Sequence, residues 1–139
     1  MSYLLDTNVL SELRRTARAD VNVLAWVRSV PTSSLYVSVI SILEIEKGVR
    51  QAERRDPPKG LVLRRWLDTG VLAAFAGRVL DVDLPVARCC AGLHVPNRKS
   101  EGDALIAATA IVHGLAVVTR NVRDFEGCGV PLIDPWVTA

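Results

Sequence analysis

Ser2-Tyr3-Leu4-Leu5-Asp6-Thr7-Asn8-Val9-Leu10-Ser11-Glu12 is the stretch on which the reading of this chain turns. Tyr3 to Leu5 is a short apolar run that passes straight into an acid and two polar residues, and Val9 to Arg15 then reads as a short amphipathic helix. An apolar strand that ends on an acid and turns into a helix is how an open α/β sheet delivers side chains to a ligand crevice. Asp6 therefore stands where chemistry is usually done, and Thr7 or Asn8 is placed to cap the helix that follows.

Outward from this stretch, strands and helices alternate. Asp20 to Val30 spaces Val21, Leu24 and Val27 as a helix that Pro31 stops. Ser34 to Ser38 is a β-branched and aromatic strand, and Val39 to Arg54 carries Ile42, Ile45, Val49 and Ala52 along one helical stripe. Asp56-Pro57-Pro58 breaks that helix, and another begins near Gly60 and runs to about Gly77. Val79 to Val82 reads as a strand, Pro85 to His94 as a helix, and Pro96 to Gly102 as a turn. Asp103 to His113 is apolar on nearly every face, which predicts a helix buried against the sheet. Gly114 ends it, and Leu115 to Thr119, a polar loop from Arg120 to Gly129, and a strand from Val130 to Ile133 complete the order. Alternation of this kind predicts an α/β fold, a single three-layer domain over residues 1–139 with a short central parallel sheet flanked by helices on both faces.

The bulk properties agree with one domain. A length of 139 residues supports one core and is short for two, and the apolar half of the composition excludes disorder. A net charge of +2 permits a nucleic-acid partner without requiring one. The start of the chain lacks the basic, apolar and small-residue succession of a secretory signal, and no window has the long apolar run of a membrane helix. Cys89, Cys90 and Cys128 are odd in number and have no metal-ligand spacing, so a cytoplasmic, reducing setting is expected.

Four acids, Asp6, Glu44, Asp103 and Asp124, each fall at a strand-to-helix or strand-to-loop junction. Carboxylates converging from distant positions suit Mg²⁺ or Mn²⁺, hard cations that take oxygen ligands. Such a cation activates a water for attack on a phosphodiester, so neither a nucleophilic Ser nor a catalytic His is needed. His94 and His113 stand near no candidate base. Each acid also has a plain structural reading. Asp6 caps a helix, Asp124 closes a turn, Glu44 pairs with Lys47, and Ser100 to Asp103 has the spacing of a capping box.

Four stretches in order tip the balance: Asp6-Thr7-Asn8; Ser41-Ile42-Leu43-Glu44-Ile45 with Gly48; Asp103 opening Ala104-Leu105-Ile106-Ala107-Ala108-Thr109-Ala110; and Thr119-Arg120-Asn121 with Asp124-Phe125. Together they resemble the PIN-domain nucleases, and most closely the VapC toxins of type II toxin-antitoxin modules in their FitB-like branch. The likeness runs to the closing Gly129-Val130-Pro131-Leu132-Ile133-Asp134-Pro135-Trp136. It implies an Mg²⁺- or Mn²⁺-dependent endoribonuclease, restrained by a cognate VapB-like antitoxin, forming a homodimer and reaching DNA only through the antitoxin.

By the same resemblance Asp6 and Asp103 match the principal metal ligands. Glu44 matches the second acid, and Asp124 the acid of the last motif. Asn121 stands where many members have an acid, which puts a second metal in doubt. Thr7, Asn8, Thr119 and Asn121 are the supporting groups. Arg120 and Arg123, which flank the last motif, are the candidates for RNA phosphates. Trp26 and Trp66 either pack in the core or frame a groove for an antitoxin helix. The alternative from another class is a non-enzymatic PIN-fold subunit of a DNA-binding antitoxin complex.

Overall fold

Strands β1 (Tyr3–Leu5), β2 (Leu35–Ser38), β3 (Val79–Leu80), β4 (Ala116–Val118) and β5 (Leu132–Ile133) lie side by side in the order β3-β2-β1-β4-β5. Every pairing is parallel, with Tyr3 opposite both Leu35 and Ala116. The computed structural model describes residues 1–137, so Thr138 and Ala139 of the expected 1–139 domain lie outside the described residues. Chain order moves outward from β1 through β2 to β3, then returns to β4 on the other side of β1. The direction of winding therefore reverses between β1 and β4, and ligand crevices of open α/β sheets form outside the strand ends at that reversal.

Alternate strand residues feed different layers. Leu5, Val37 and Val118 point into a core with Val9 and Leu10 of α1 (Thr7–Leu13), Val23 of α2 (Val21–Arg28), and Ile45 and Val49 of α3 (Val39–Arg55). Leu4 and Val117 face the other way, onto Ile106, Ala107 and Ala110 of α7 (Glu101–His113). Behind α7, Val86 and Cys90 of α6 (Leu84–Leu93) pack on Ala104 and Ala108. The expected three layers are present, and α7 is buried because the sheet covers one side and α6 the other. Burying one Leu or Val stabilises the fold by roughly 1.5–3 kcal/mol. No helix among the described residues is long and apolar enough to cross a membrane.

Several boundaries differ from the sequence reading. Asp6 itself, not Thr7 or Asn8, caps α1, its carboxylate accepting from the Thr7 amide at 2.8 Å. Helix α4 (Pro57–Arg65) starts at Pro57 and not near Gly60, because proline costs nothing in a first turn and Asp56 accepts from the Lys59 amide. A π-helical stretch, Trp66–Val71, and a short α5, Leu72–Ala74, follow. Gly60 instead marks where α4 meets α3, since a Cβ there would fall 2.4 Å from the Cα of Glu53. Helix α7 begins two residues before Asp103, at Glu101, and β5 is only two residues long.

Candidate active site

The reversal point holds Asp6. Its backbone amide extends the β1 to β4 ladder by donating to the Val118 carbonyl at 2.9 Å, so its side chain emerges beside the end of β4. There Thr119, fully buried, donates its hydroxyl to Asp6 Oδ2 at 2.8 Å. Asn8 Nδ2 donates to the same oxygen and to Thr119 Oγ1, both at 3.3 Å, and Asn8 Oδ1 accepts from the Arg120 amide. The Asn121 amide also donates to Thr119 Oγ1, at 3.0 Å. Thr7 donates to Ser41 Oγ on α3 at 3.0 Å, which ties the first strand end to the helix bearing Glu44. Asp6 is only 6% exposed, yet every hydrogen bond it accepts comes from a neutral donor.

Three other elements bring acids to the same place. Asp103 stands in the first turn of α7, and Glu44 on α3 reaches over that turn, its Oε1 3.2 Å from where a Cβ on Gly102 would sit. Asp124 comes from a single 3₁₀ turn, Val122–Phe125, anchored by the buried Phe125 ring. Asp103 lies within electrostatic reach of the other three acids. The Asp103 carboxyl is pushed above its ordinary value first by burial, then by Asp124, Asp6 and Glu44, with the Ser100 side chain opposing. Asp6 is raised by burial and by Asp124, with Thr119 and the Thr7 amide pulling it back. Among the described residues none of the four acids takes part in a salt bridge.

The plain structural readings fare unequally, for Asp6 does cap α1 while others are not met. Glu44 does not pair with Lys47, and Ser100 makes no side-chain bond to cap α7, so the capping box is not formed. Mutually repelling carboxylates with no basic counter-charge offer oxygen donors of the kind that hard divalent cations take.

A family pattern for the PIN domain matches residues 3–127. The chain belongs to the PIN domain family. It is 38% identical to "VapC ribonuclease Y4jK" of Sinorhizobium fredii, over 98% of this chain and 99% of that protein. It is 37% identical to "Toxin FitB" of Neisseria gonorrhoeae, over 96% and 97% of the two chains. The crystal structure of FitAcB from Neisseria gonorrhoeae superimposes with a TM-score of 0.88 at 35% identity, covering 98% of this chain and 99% of that one.

Within this PIN domain the remaining site residues divide. Arg120 lies beside the acids in sequence, but its guanidinium stacks on the Trp136 ring at 5.3 Å. Trp136 is held in turn by Asn22, which donates to its carbonyl at 2.9 Å. Arg123 is exposed at the rim. Both tryptophans pack against the first core and each also lines a cleft, though not the same one. Trp26 packs edge-on against Tyr3 at 5.0 Å and lines an apolar cleft with Ile133 and Pro135, whereas Trp66 lines a groove of about 370 Å³ with Thr7, Glu44, Arg14 and Lys59. The groove thus runs from Glu44 past two basic residues, Arg14 and Lys59. Arg64 joins Glu46 and Glu53 of α3 to α4.

Ser41 is the supporting residue that sequence reading passed over. It is fully buried, one turn before Glu44, and a small hydroxyl inside an apolar stripe is the signal that could have found it. A second correction concerns His94, whose Nε2 lies 3.5 Å from Glu101 Oε2. It does stand beside a potential base, brought there by the turn between α6 and α7.

Proposed function

We propose that this PIN domain is the toxin of a type II toxin-antitoxin system, a divalent-cation-dependent endoribonuclease restrained by a cognate antitoxin. The observation that carries the reading is the meeting of Asp6, Asp103, Glu44 and Asp124 at the sheet's reversal point with no basic partner among them. Asp6 and Asp103 would hold Mg²⁺ or Mn²⁺, which lowers the pKa of a water and offsets charge on the scissile phosphate. Thr119, Asn8 and the Thr7 amide hold the Asp6 carboxylate in one orientation through the bonds they donate. Glu44 and Asp124, both exposed, are free to orient the attacking water and take its proton. Arg123 and the basic residues of the groove are placed to hold RNA phosphates, while Arg120, stacked on Trp136, is pre-positioned at the rim.

The groove lined by Trp66, Leu63 and Ile45 suits an apolar helical segment of the antitoxin, which would cover the acids on the same path. A homodimer, with DNA bound only through the antitoxin, completes the proposed assembly. The test is incubation of antitoxin-free protein with total RNA, with and without Mn²⁺, followed by mapping of the ends. Attack by water gives 5′-phosphate and 3′-hydroxyl products, and Asp103→Asn is expected to lose about 10²–10³-fold in rate. A 2′,3′-cyclic phosphate overturns the mechanism. Cleavage that is absent, or unchanged in Asp6→Asn and Asp103→Asn, leaves a non-enzymatic subunit of a DNA-binding antitoxin complex.

A further inference from the structure

The turn between α6 and α7 gathers a second set of ligand atoms, of different chemistry from the carboxylate centre. Cys90 and His94 stand one helical turn apart on the last turn of α6, and Glu101 opens α7 opposite them. Cys90 Sγ lies 3.8 Å from His94 Nε2 and 3.8 Å from Glu101 Oε1, and His94 Nε2 lies 3.5 Å from Glu101 Oε2. The histidine-to-glutamate contact is too long for a good N–H···O hydrogen bond, which falls near 2.7–3.2 Å. One ligand atom from each of the three residues lies within 4.8 Å of the others, with Cys90 and His94 approaching different oxygens of Glu101, so a small side-chain movement brings them to the roughly 3.3–3.7 Å between neighbouring ligands of a tetrahedral zinc ion, whose bonds are about 2.0–2.3 Å.

We propose that Cys90, His94 and Glu101 form a binding site for a thiophilic divalent cation of the zinc class, separate from the carboxylate centre. A thiolate and an imidazole select zinc over magnesium, whereas the four acids at the sheet edge do the opposite. Cys90 is 3% exposed and forms the floor, and Glu101 is largely exposed, so the site is open to solvent on one side. A water would complete four-fold coordination.

Binding has a structural consequence. The Lys99 amide donates to His94 Nδ1 at 3.1 Å, which places the proton of the neutral ring on Nε2. A cation at Nε2 requires that proton to move to Nδ1, and Cys90 releases its thiol proton to solvent. The Lys99 amide then loses its acceptor and turns away. A bound cation therefore clips the end of α6 to the start of α7 and reshapes the turn leading to Asp103.

The experiment is titration of the reduced full-length chain with Co²⁺ under anaerobic conditions, followed by absorption spectroscopy. A sulfur-to-cobalt charge-transfer band saturating at a single equivalent is expected. Zn²⁺ should displace it and a large excess of Mg²⁺ should not. The band should persist in Asp6→Asn, which disables the carboxylate centre, and vanish in Cys90→Ala and His94→Gln, whose folding is checked by circular dichroism. The parent protein decides the matter without any variant: no band, or one that Mg²⁺ displaces, overturns the proposal. A band retained in Cys90→Ala also overturns it, since that places the thiolate at Cys89 or Cys128.

Discussion

Asp6 and Asp103 each take up a proton more readily in the folded chain than an ordinary aspartate does, whose value is near 3.8. Without a cation the folded state therefore holds more protons than the unfolded chain, and stability is lost as pH rises from about 3.8 through the raised folded values. Asp103→Asn should accordingly raise the melting temperature of chelator-treated protein near neutral pH, with the gain vanishing below about pH 3.8. Melts across that range check it, and a variant no more stable than the parent at neutral pH contradicts it. Glu46 and Glu53, lowered by Arg64, act in the opposite sense and are common to both proteins, so they cancel in the comparison. Adding Mg²⁺ should raise the parent's melting temperature, by about 2.7 kcal/mol of added stability at a hundred times its dissociation constant, and Asp6→Asn should lose most of that gain. Thr119→Val, which removes the hydroxyl donor to Asp6, should keep the fold and weaken cation binding about 10–100-fold by calorimetric titration.

The acids reach one place because of their elements. The short strands β1 and β4 end side by side, α7 starts at the same edge, and α3 is held near by the Thr7 to Ser41 bond. Periodicity made these elements legible in sequence because one buried face per helix leaves a plain pattern. It failed where no face is singled out. The start of α4 was misread because two prolines look like a break when they sit in a first turn, and the crossing at Gly60 leaves no pattern because contact there depends on a missing Cβ. Gly60→Ala should cost about 1–3 kcal/mol by denaturant unfolding, as a methyl is forced into the Glu53 backbone. Gly48→Ala is the control, a helical glycine with nothing within 4 Å, and should gain about 0.5–1 kcal/mol.

In the whole molecule one edge of the sheet carries the acids, and a groove lined by Trp66, Lys59 and Arg14 leads away from them. Trp66→Arg and Lys59→Glu should each weaken antitoxin binding in a pull-down while leaving the circular dichroism spectrum unchanged. Intact binding in both removes the groove from the proposed interface. The order Asp6, Glu44, Asp103, Asp124 is legible in the sequence because Asp6 ends an apolar strand and Glu44 and Asp103 lie near the starts of helices whose patterns are strong. Neither the different clefts that Trp26 and Trp66 line nor the cluster of Cys90, His94 and Glu101 was readable, because both depend on how α2, α4, α6 and α7 pack rather than on local spacing. The central claim is that carboxylates nearly a hundred residues apart serve one cation. A crystal grown with Mn²⁺ and measured at the manganese absorption edge tests it most directly. An anomalous peak contacted by the carboxylates of both Asp6 and Asp103 is expected, and a crystal in which no manganese ion touches both would refute shared ligation.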